Sequence, residues 1–346
     1  MKAVKARCTC GPRQPFISTL IPRRAPGPSD VVIAIAFAGI CHSDVEHAHS
    51  LRGSTRYPLV PGHEMAGKVI EIGSHVTRFR VGDRAGVGNM VDSCGGCANC
   101  LAGLEQYCSG HRTLTYNSLD RHGEPTHGGY SEQIVVDERF VVRVPDTIPL
   151  ENAAPLLCAG ITMYSPLRHW KAGPGSRVAV IGLGGLGHVG IQMARAMGAE
   201  VTVLELDDTK RDDALRLGAS EFVVTTSAEA LAPLANRLDL IISTVPATLD
   251  MDRYLGLLAR DGVFVQLAAA SQPLAVPSVS LLTNRRSIAG TRSGGLAETQ
   301  EMLDFCAEHG IRAEIELIAA DRIDEAYERL LAGDVRYRFV IDNSTL

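Results

Sequence analysis

A glycine-rich turn between an apolar run and an amphipathic segment constrains the fold of this chain more than any other feature. Arg177–Ile181 is short, apolar and rich in β-branched residues, and the turn follows it directly. Beyond the turn, Leu186, Val189 and Met193 recur at the spacing of one helical face. A GxGxxG pattern between a strand and a helix is typical of dinucleotide binding, with the phosphates at the helix N-terminus. The simpler alternative is a flexible glycine loop. The candidate cofactor-binding residues of the turn are Gly182, Leu183, Gly184, Gly185, Leu186 and Gly187.

The pattern of predicted elements changes near Gly160. Before it, the sequence predicts short strands separated by Gly and Pro turns; after it, apolar strands alternate with helical segments. Such alternation is typical of a parallel sheet covered by helices, so we predict an α/β fold class. Strands are predicted at Val31–Phe37, Met65–Ile72, Arg84–Val91, Glu132–Val136, Arg177–Ile181, Glu200–Leu204, Glu221–Val224, Leu238–Ser243, Gly262–Leu267 and Arg338–Ile341, and helices at Asp208–Leu217, Met251–Leu258, Ala297–His309 and Ile323–Leu331.

Four cysteines lie close together in the first half of the chain. They are Cys94, Cys97, Cys100 and Cys108. Four thiolates at this spacing suit a closed, tetrahedral zinc site with a structural role. The alternatives are unrelated thiols or a redox pair. We predict a structural zinc that holds together a loop without a core of its own.

A second set of candidate metal ligands is dispersed along the chain. Cys41 follows the first long strand, His63 follows a Pro-rich turn, and Cys158 follows Pro155. Two thiolates and one imidazole form the kind of three-ligand set that leaves a fourth position of a catalytic zinc open. Taken singly, each has a simpler explanation, since His63 could be a hydrogen-bonded turn histidine and Cys158 a small buried side chain.

An acidic residue follows the second predicted strand of the α/β region. Glu205 stands where a carboxylate binds the ribose 2′-hydroxyl of NAD and repels the 2′-phosphate of NADP. Asp207 and Asp208 add negative charge, whereas Lys210 and Arg211 oppose it. We therefore expect NAD(H) to be favoured over NADP(H). The alternative is a solvated charge at the end of a strand.

Composition excludes several classes of partner. The formal net charge of -5 provides no basic field for nucleic acid. No apolar run approaches the roughly 18 residues of a membrane span, and the N-terminus lacks the apolar core of a secretory signal. We therefore expect a cytoplasmic protein whose nine cysteines are ligands or free thiols.

Several stretches together resemble the zinc-dependent medium-chain alcohol dehydrogenases, and more specifically their cinnamyl alcohol dehydrogenase-like branch. They follow the order of that family along nearly the whole chain. The stretches are Gly39-Ile-Cys-His-Ser-Asp44, Tyr57-Pro-Leu-Val-Pro-Gly-His-Glu64, Pro155-Leu-Leu-Cys-Ala-Gly-Ile-Thr162, Gly182-Leu-Gly-Gly-Leu-Gly-His188 and Asp334-Val-Arg-Tyr-Arg-Phe339.

The resemblance implies a β-rich, GroES-like catalytic domain built from both chain ends. Residues 1–159 would form its first part and residues 292–346 its C-terminal part. Residues 160–291 would form a Rossmann domain that binds NAD(P). The resemblance also implies a homodimer.

The same resemblance implies roles for the residues around the dispersed ligands. Cys41, His63 and Cys158 would hold catalytic zinc, with Glu64 as an occasional ligand. Asp44 would orient the His63 imidazole and raise its basicity as a ligand. With the four-cysteine site, this gives two zinc ions per chain.

Further residues would contact substrate and cofactor. Ser43 would hydrogen-bond the substrate oxygen, Thr162 would contact the nicotinamide, and Arg336 the pyrophosphate. The sequence departs from many family members at Glu46, where they have the histidine that ends a proton relay. Either Glu46 or His47 could take that role here.

The implied activity is hydride transfer between NAD(P)(H) and a primary alcohol or aldehyde, a small-molecule substrate. Substrate identity and direction stay open. One alternative is a related reductase of an activated C=C bond or an iminium, and another is a non-catalytic, dinucleotide-binding sensor. Intact ligands at Cys41, His63 and Cys158 favour carbonyl chemistry over both.

Overall fold

The structure is a computed structural model that describes residues 1–51, 53, 55–270 and 272–346. Contacts within the chain divide it into two compact units, one formed by Met1–Ile161 with Gly294–Leu346 and the other by Thr162–Ser293. The predicted domain limits at residues 160 and 291 stay a proposal, because packing units are not by themselves independently folding domains.

The first unit is built mainly from strands, with short helices between them. Its strands are β1 (Lys2–Cys8), β2 (Ile17–Arg23), β3 (Asp30–Gly39), β4 (Met65–Ile72), β5 (Arg84–Val87), β6 (Met90–Ser93), β7 (Arg112–Leu114), β8 (Gln133–Asp137), β9 (Val142–Arg143), β16 (Ile315–Ala319) and β17 (Arg338–Asp342). Its helices are α1 (His42–Ala48), α2 (Ala98–Leu101), α3 (Leu150–Pro155), α10 (Leu296–His309) and α11 (Ile323–Leu331).

One large sheet organises this unit. Its strand order is β16-β17-β3-β4-β5-β9, and β8 also pairs with β3. Near the C-terminus, β17 pairs antiparallel with β3, placing Ile341 opposite Ala38. Both side chains are fully buried, as are Val31 and Phe339, so β3 lies in the core and its two ends are fixed. The segment that follows β3 begins the candidate active site.

The second unit alternates strands and helices. Its strands are β10 (Arg177–Ile181), β11 (Glu200–Glu205), β12 (Glu221–Val224), β13 (Leu238–Ser243), β14 (Leu258–Gln266) and β15 (Ser287–Gly290). Its helices are α4 (Ile161–His169, whose first residue is assigned to the first unit), α5 (Gly187–Ala196), α6 (Arg211–Arg216), α7 (Ala228–Leu231), α8 (Met251–Leu255) and α9 (Ser278–Leu282).

The six strands form the parallel sheet that the alternation predicted. Their order is β12-β11-β10-β13-β14-β15. Val178, Val180 and Ile241 are fully buried, as expected when helices cover both faces of a parallel sheet. The strand order reverses direction between β10 and β13, and ligands of such sheets bind at the carboxyl ends of the strands at that point.

Several predicted elements were wrong in extent: the helix predicted from Asp208 begins at Arg211, and the strand predicted from Gly262 begins at Leu258. The single strand predicted over Arg84–Val91 is two strands, because Thr115 bonds to the carbonyls of Gly88 and Asn89 and interrupts the ladder there. The helix predicted to Leu258 ends at Leu255, and Leu258 begins β14.

Within the described residues, no helix has the length and apolar character of a membrane span. The cytoplasmic location stays a prediction from the sequence.

Candidate active site

Four potential metal ligands converge in the first unit. Cys41 caps the start of α1, His63 and Glu64 precede β4, and Cys158 lies on a π-helical turn between α3 and α4. One ligand atom from each lies within 4.8 Å of the others. The Cys158 sulfur is 3.9 Å from the Cys41 sulfur and 3.2 Å from His63 Nε2. The structure therefore brings together the dispersed residues that the sequence singled out.

Glycines allow the chain to approach this cluster. Gly62 has φ +103°, and a Cβ there would lie 2.7 Å from the Tyr130 ring. A Cβ at Gly39 would lie 2.0 Å from a Glu64 carboxylate oxygen. Only glycine fits these two positions, because a side chain would need backbone strain at one and would displace Glu64 at the other.

Asp44 fixes the orientation of the His63 ring. Its side chain is fully buried and accepts hydrogen bonds from the backbone N–H of Cys41 at 2.8 Å and of Gly62 at 3.2 Å. It also lies 3.0 Å from His63 Nδ1. Because a carboxylate accepts, His63 donates from Nδ1, which leaves the Nε2 lone pair toward the two sulfurs.

The pKa values of the clustered side chains indicate that the site suits a bound positive ion. The hydrogen bond from Cys158 holds the pKa of the Cys41 thiol well below its ordinary value, and the same contact raises the pKa of Cys158. Burial lowers the pKa of His63, but Asp44 and Cys41 outweigh that effect and raise it well above the ordinary value. Two adjacent thiolates repel each other, so both ionise readily only when a positive ion lies between them.

A buried ion pair adjoins the cluster. Arg338 at the start of β17 donates from Nη2 to the Ile40 carbonyl at 2.9 Å and also to Glu64 Oε1. Glu64 is fully buried and Arg338 is 4% exposed. Burial raises the pKa of Glu64 to about 7, against the opposing effect of Arg338. Glu64 Oε2 is buried without a hydrogen-bond partner in the described part of the chain.

The sequence analysis did not single out Arg338, and it named Arg336 for a different role, at the pyrophosphate. Arg336 is exposed, its backbone N–H donates to Glu316 at 3.1 Å, and its guanidinium lies 5.7 Å from the Tyr337 ring centroid. Its role toward a pyrophosphate stays a prediction. The available signal was the pairing of β17 with β3, which places Arg338 beside Ile40.

The donor set fits zinc. Two sulfurs and an imidazole whose tautomer is fixed form a three-ligand set, and one carboxylate oxygen of Glu64 lies in the same cluster. Zinc in catalytic sites takes three such ligands and keeps a further position for substrate or water.

The residues predicted for proton transfer share one helix. Ser43, Glu46 and His47 all lie on α1 and are half-buried. His47 Nδ1 lies 3.0 Å from Asn117 Nδ2, and its ring contacts Tyr116 edge-on at 5.4 Å. Residues three and four positions apart lie on one helix face, so both Glu46 and His47 are near Ser43.

The four-cysteine segment also forms a compact cluster. Cys97 Sγ lies 3.5 Å from that of Cys100 and 4.0 Å from that of Cys108, and Cys94 Sγ lies 3.9 Å from that of Cys100. A backbone hydrogen bond from Cys100 is the main reason that the pKa of Cys97 falls to about 5. Four sulfurs in this arrangement suit a closed zinc site.

The glycine-rich turn connects β10 to α5 in the second unit. Gly182 has φ +94°, and a Cβ at Gly187 would lie 2.0 Å from the Gly182 carbonyl oxygen. A Cβ at Gly184 would meet nothing within 4 Å, so the backbone there is open to a ligand. The turn therefore has the close helix–strand packing and, at Gly184, the open space beside the backbone that a pyrophosphate needs.

Glu205 lies at the end of β11, beside the same turn. Its Oε1 accepts a hydrogen bond from the Leu183 N–H at 2.5 Å, and Lys210 Nζ donates to the Leu183 carbonyl at 3.0 Å. Lys210 Nζ is 3.8 Å from Glu205 Oε1. Thr162, the other residue predicted to contact cofactor, is half-buried in the first turn of α4.

Comparison with known proteins gives matches along the whole chain. The model of the alcohol dehydrogenase GroES-like domain matches residues 27–146, and that of the zinc-binding dehydrogenase domain matches residues 185–308. A protein of Mycolicibacterium smegmatis named NADP-dependent alcohol dehydrogenase C 1 is 58% identical, with 100% of this chain and 99% of the relative aligned. Aldehyde reductase YahK of Escherichia coli is 52% identical, over 99% of each chain. A cinnamyl alcohol dehydrogenase structure from Sorghum bicolor has a TM-score of 0.96 and 43% identity, covering 99% of this chain and 98% of that one.

Proposed function

The chain belongs to the zinc-binding alcohol dehydrogenases with a GroES-like domain, and we propose that it interconverts a primary alcohol and an aldehyde by hydride transfer with a nicotinamide dinucleotide. The predicted family resemblance and the predicted α/β fold class, a GroES-like domain with a Rossmann-like one, are confirmed by these matches. The observation that carries the proposal is the convergence of Cys41, His63 and Cys158 on one point, with Asp44 behind the imidazole.

In this proposal, Cys41, His63 and Cys158 hold the catalytic zinc, and Glu64 is an occasional further ligand. When bound, zinc supplies Lewis-acid polarisation of the substrate oxygen, and the dinucleotide accepts or donates the hydride. Asp44 accepts the Nδ1 proton of His63, so the lone pair of Nε2 faces the metal position. Arg338 holds Glu64 through Oε1, which is also the carboxylate oxygen 4.0 Å from His63 Nε2, so binding of Glu64 to the metal would compete with this ion pair.

The proton of the alcohol leaves through residues of α1. Ser43 hydrogen-bonds the substrate oxygen, accepts its proton and passes a proton outward to Glu46 or His47. In aldehyde reduction the same groups return a proton to the product oxygen. Thr162 and the turn Gly182–Gly187 position the dinucleotide, and Arg336 would contact its pyrophosphate. Cys94, Cys97, Cys100 and Cys108 hold the second, structural zinc.

A substrate panel tests this function. Purified protein is assayed with benzyl alcohol, cinnamaldehyde and an enone, each with both nicotinamide dinucleotides, by the absorbance of the reduced nicotinamide. We expect alcohol oxidation and aldehyde reduction. Reduction of the enone alone would instead support a C=C reductase, and absence of turnover with zinc present would support a dinucleotide sensor.

The coenzyme preference gives a separate prediction. We infer that NAD is favoured, because the Glu205 carboxylate can accept a hydrogen bond from the ribose 2′-hydroxyl while its charge repels a 2′-phosphate. The relative from M. smegmatis is named NADP-dependent, so this preference would be a property of the present chain. Replacing Glu205 with serine should shift the ratio of kcat/KM for NAD over NADP toward NADP by about 10- to 100-fold, since a hydrogen bond to a charged group contributes roughly 1.5–3 kcal/mol.

The matched control for that prediction is D208N. It removes one negative charge from an exposed side chain in the bend that follows β11, and the ratio of kcat/KM for NAD over NADP should change little. Equal shifts of this ratio in both variants would mean that Glu205 acts only through its negative charge and not through a specific hydrogen bond to the ribose. A parent enzyme that already prefers NADP would contradict the NAD assignment itself.

We also propose a homodimer formed at the edge of the parallel sheet. Strand β15 ends the sheet, and α9 before it exposes Val279 and Leu282, which are 65% and 79% accessible. Large exposed apolar side chains beside an edge strand favour association. Light scattering should give twice the mass of one chain, and L282E should shift it toward the monomer. A parent protein with the mass of one chain would contradict this assignment.

A further inference from the structure

Asn117 makes a specific contact with His47. It lies in the loop after β7 with φ +53°, a left-handed conformation that asparagine tolerates better than most residues. Its Nδ2 is 3.0 Å from His47 Nδ1, and its Oδ1 accepts the backbone N–H of Arg56 at 2.9 Å. The side-chain amide therefore bridges α1 and the segment around residue 56.

These two contacts fix the orientation of the amide. A backbone N–H can only donate, so the Asn117 atom facing Arg56 is the oxygen, and the nitrogen faces His47. An amide nitrogen donates and does not accept. His47 Nδ1 must therefore be the acceptor, which places the proton of the neutral ring on Nε2.

The loop that carries Asn117 is held in place. The backbone N–H of Thr115 donates to the Asn89 carbonyl at 3.2 Å, and its hydroxyl donates to the Gly88 carbonyl at 2.5 Å. Tyr116 is only 5% exposed and packs its ring against both His47 and His63. Asn117 consequently meets His47 from a fixed position.

The contact bears on which side chain receives the proton from Ser43. Glu46 and His47 are both on the right helix face, so position alone does not select one of them. An imidazolium carries N–H on both nitrogens, and its Nδ1–H would point at the N–H groups of Asn117. A carboxylate such as Glu46 differs from an imidazole here, because it can take up a proton on either of its two oxygens and presents no N–H to Asn117.

We propose that Asn117 is a positioning residue that holds His47 as the neutral tautomer with its proton on Nε2, leaving Glu46 to accept the proton released in alcohol oxidation. The assignment of Glu46 as the proton acceptor rests on the proposed function. One alcohol and NAD⁺ give one aldehyde, NADH and a proton, and that proton passes from the substrate oxygen through Ser43 to Glu46 and then to solvent. Other titratable groups near the His47 ring include Tyr116, Tyr57 and Glu46 itself.

The first half is tested by nitrogen NMR of the enzyme labelled with ¹⁵N-histidine, with H47Q identifying the His47 signals. We expect an unprotonated Nδ1 and a protonated Nε2 in the parent. In N117D, a carboxylate oxygen replaces the amide nitrogen, so the proton should move to Nδ1 and His47 should titrate at higher pH than in the parent. His49, at the end of the same helix, serves as the unchanged reference. A parent His47 protonated on Nδ1, or the same tautomer in both proteins, would overturn the assignment.

The second half is tested by the pH profile of kcat/KM for alcohol oxidation. E46Q should lower the rate near neutral pH on the order of 10²-fold, the lower range for a positioned proton acceptor. In E46Q/N117D, His47 becomes able to accept the proton, so part of the rate should return with a new ionisation in the profile. A role of Asn117 in structure alone predicts no such rescue.

The two tests separate the hypotheses. If H47Q abolishes the rate and E46Q does not, His47 is the acceptor and the inference is wrong, although the dehydrogenase function stands. If the parent oxidises no alcohol, the proposed function fails, and the NMR measurement still decides whether Asn117 sets the tautomer.

Discussion

Replacing Cys41 with serine should lower kcat/KM for alcohol oxidation by on the order of 10³-fold or more. Zinc contributes several kcal/mol of charge stabilisation in such reactions, and each 1.4 kcal/mol is a factor of about ten in rate. A serine hydroxyl ionises far less readily than the Cys41 thiol, whose pKa is held well below its ordinary value by Cys158. The site would keep only His63 and Cys158 as strong ligands and lose its metal.

Metal content distinguishes this cause from misfolding. The C41S protein should contain one zinc fewer per chain and keep the ion at the four-cysteine cluster, so its melting temperature should change little. The matched control is C10S, which alters an exposed cysteine outside both clusters. Near-normal turnover in C41S would contradict the assignment of Cys41 as a ligand.

Replacing Arg338 with methionine should reduce the free energy of unfolding by about 3–5 kcal/mol. Removing one partner of a buried ion pair leaves the other charge buried without compensation. Here the remaining charge is Glu64, which is fully buried and already has a pKa raised to about 7. Urea denaturation of the parent and of R338M measures the difference.

The sign of the pH dependence follows from Glu64. Because its pKa is higher in the folded protein than in the unfolded chain, the folded state binds more protons between the ordinary value of 4.5 and about 7. Stability from this group therefore falls as the pH rises through that range. Removing Arg338 raises the pKa of Glu64 further, so the loss in R338M should be largest well above pH 7 and should shrink as the pH falls toward about 7, where Glu64 is protonated.

The double variant E64Q/R338M is the control for this prediction. It removes both charges, so it should regain part of the stability and lose the pH-dependent difference. A single variant R338M as stable as the parent at neutral pH would mean that the ion pair does not hold β17 against the segment after β3.

Local patterns allowed part of the site to be predicted. Cys94, Cys97, Cys100 and Cys108 lie within one short segment, so their proximity in the fold could be expected from the sequence. Zinc binding there stays a prediction. The turn Gly182–Gly187 is likewise local, because its strand and helix adjoin it. Val178 and the other residues of β10 form an apolar run, so this strand could be predicted from the local sequence alone.

Contacts between distant segments could not be predicted in this way. The ion pair of Arg338 with Glu64 depends on the pairing of β17 with β3, and no local pattern marks Arg338, since Tyr337 and Arg338 are both buried. The contact of Asn117 with His47 joins a loop and a short helix that share no motif. Cys41, His63 and Cys158 could be suggested as one ligand set from their residue types, and the family resemblance supported the grouping, but no local pattern predicts that these distant segments meet.

The central claim is tested most directly by anomalous X-ray diffraction at the zinc absorption edge from crystals of the zinc-loaded enzyme. We expect two anomalous peaks per chain. One should lie about 2.0–2.3 Å from Cys41 Sγ, His63 Nε2 and Cys158 Sγ, and the other about 2.3 Å from each of the four sulfurs of Cys94, Cys97, Cys100 and Cys108. A peak at the four-cysteine cluster with none beside His63 would contradict the account.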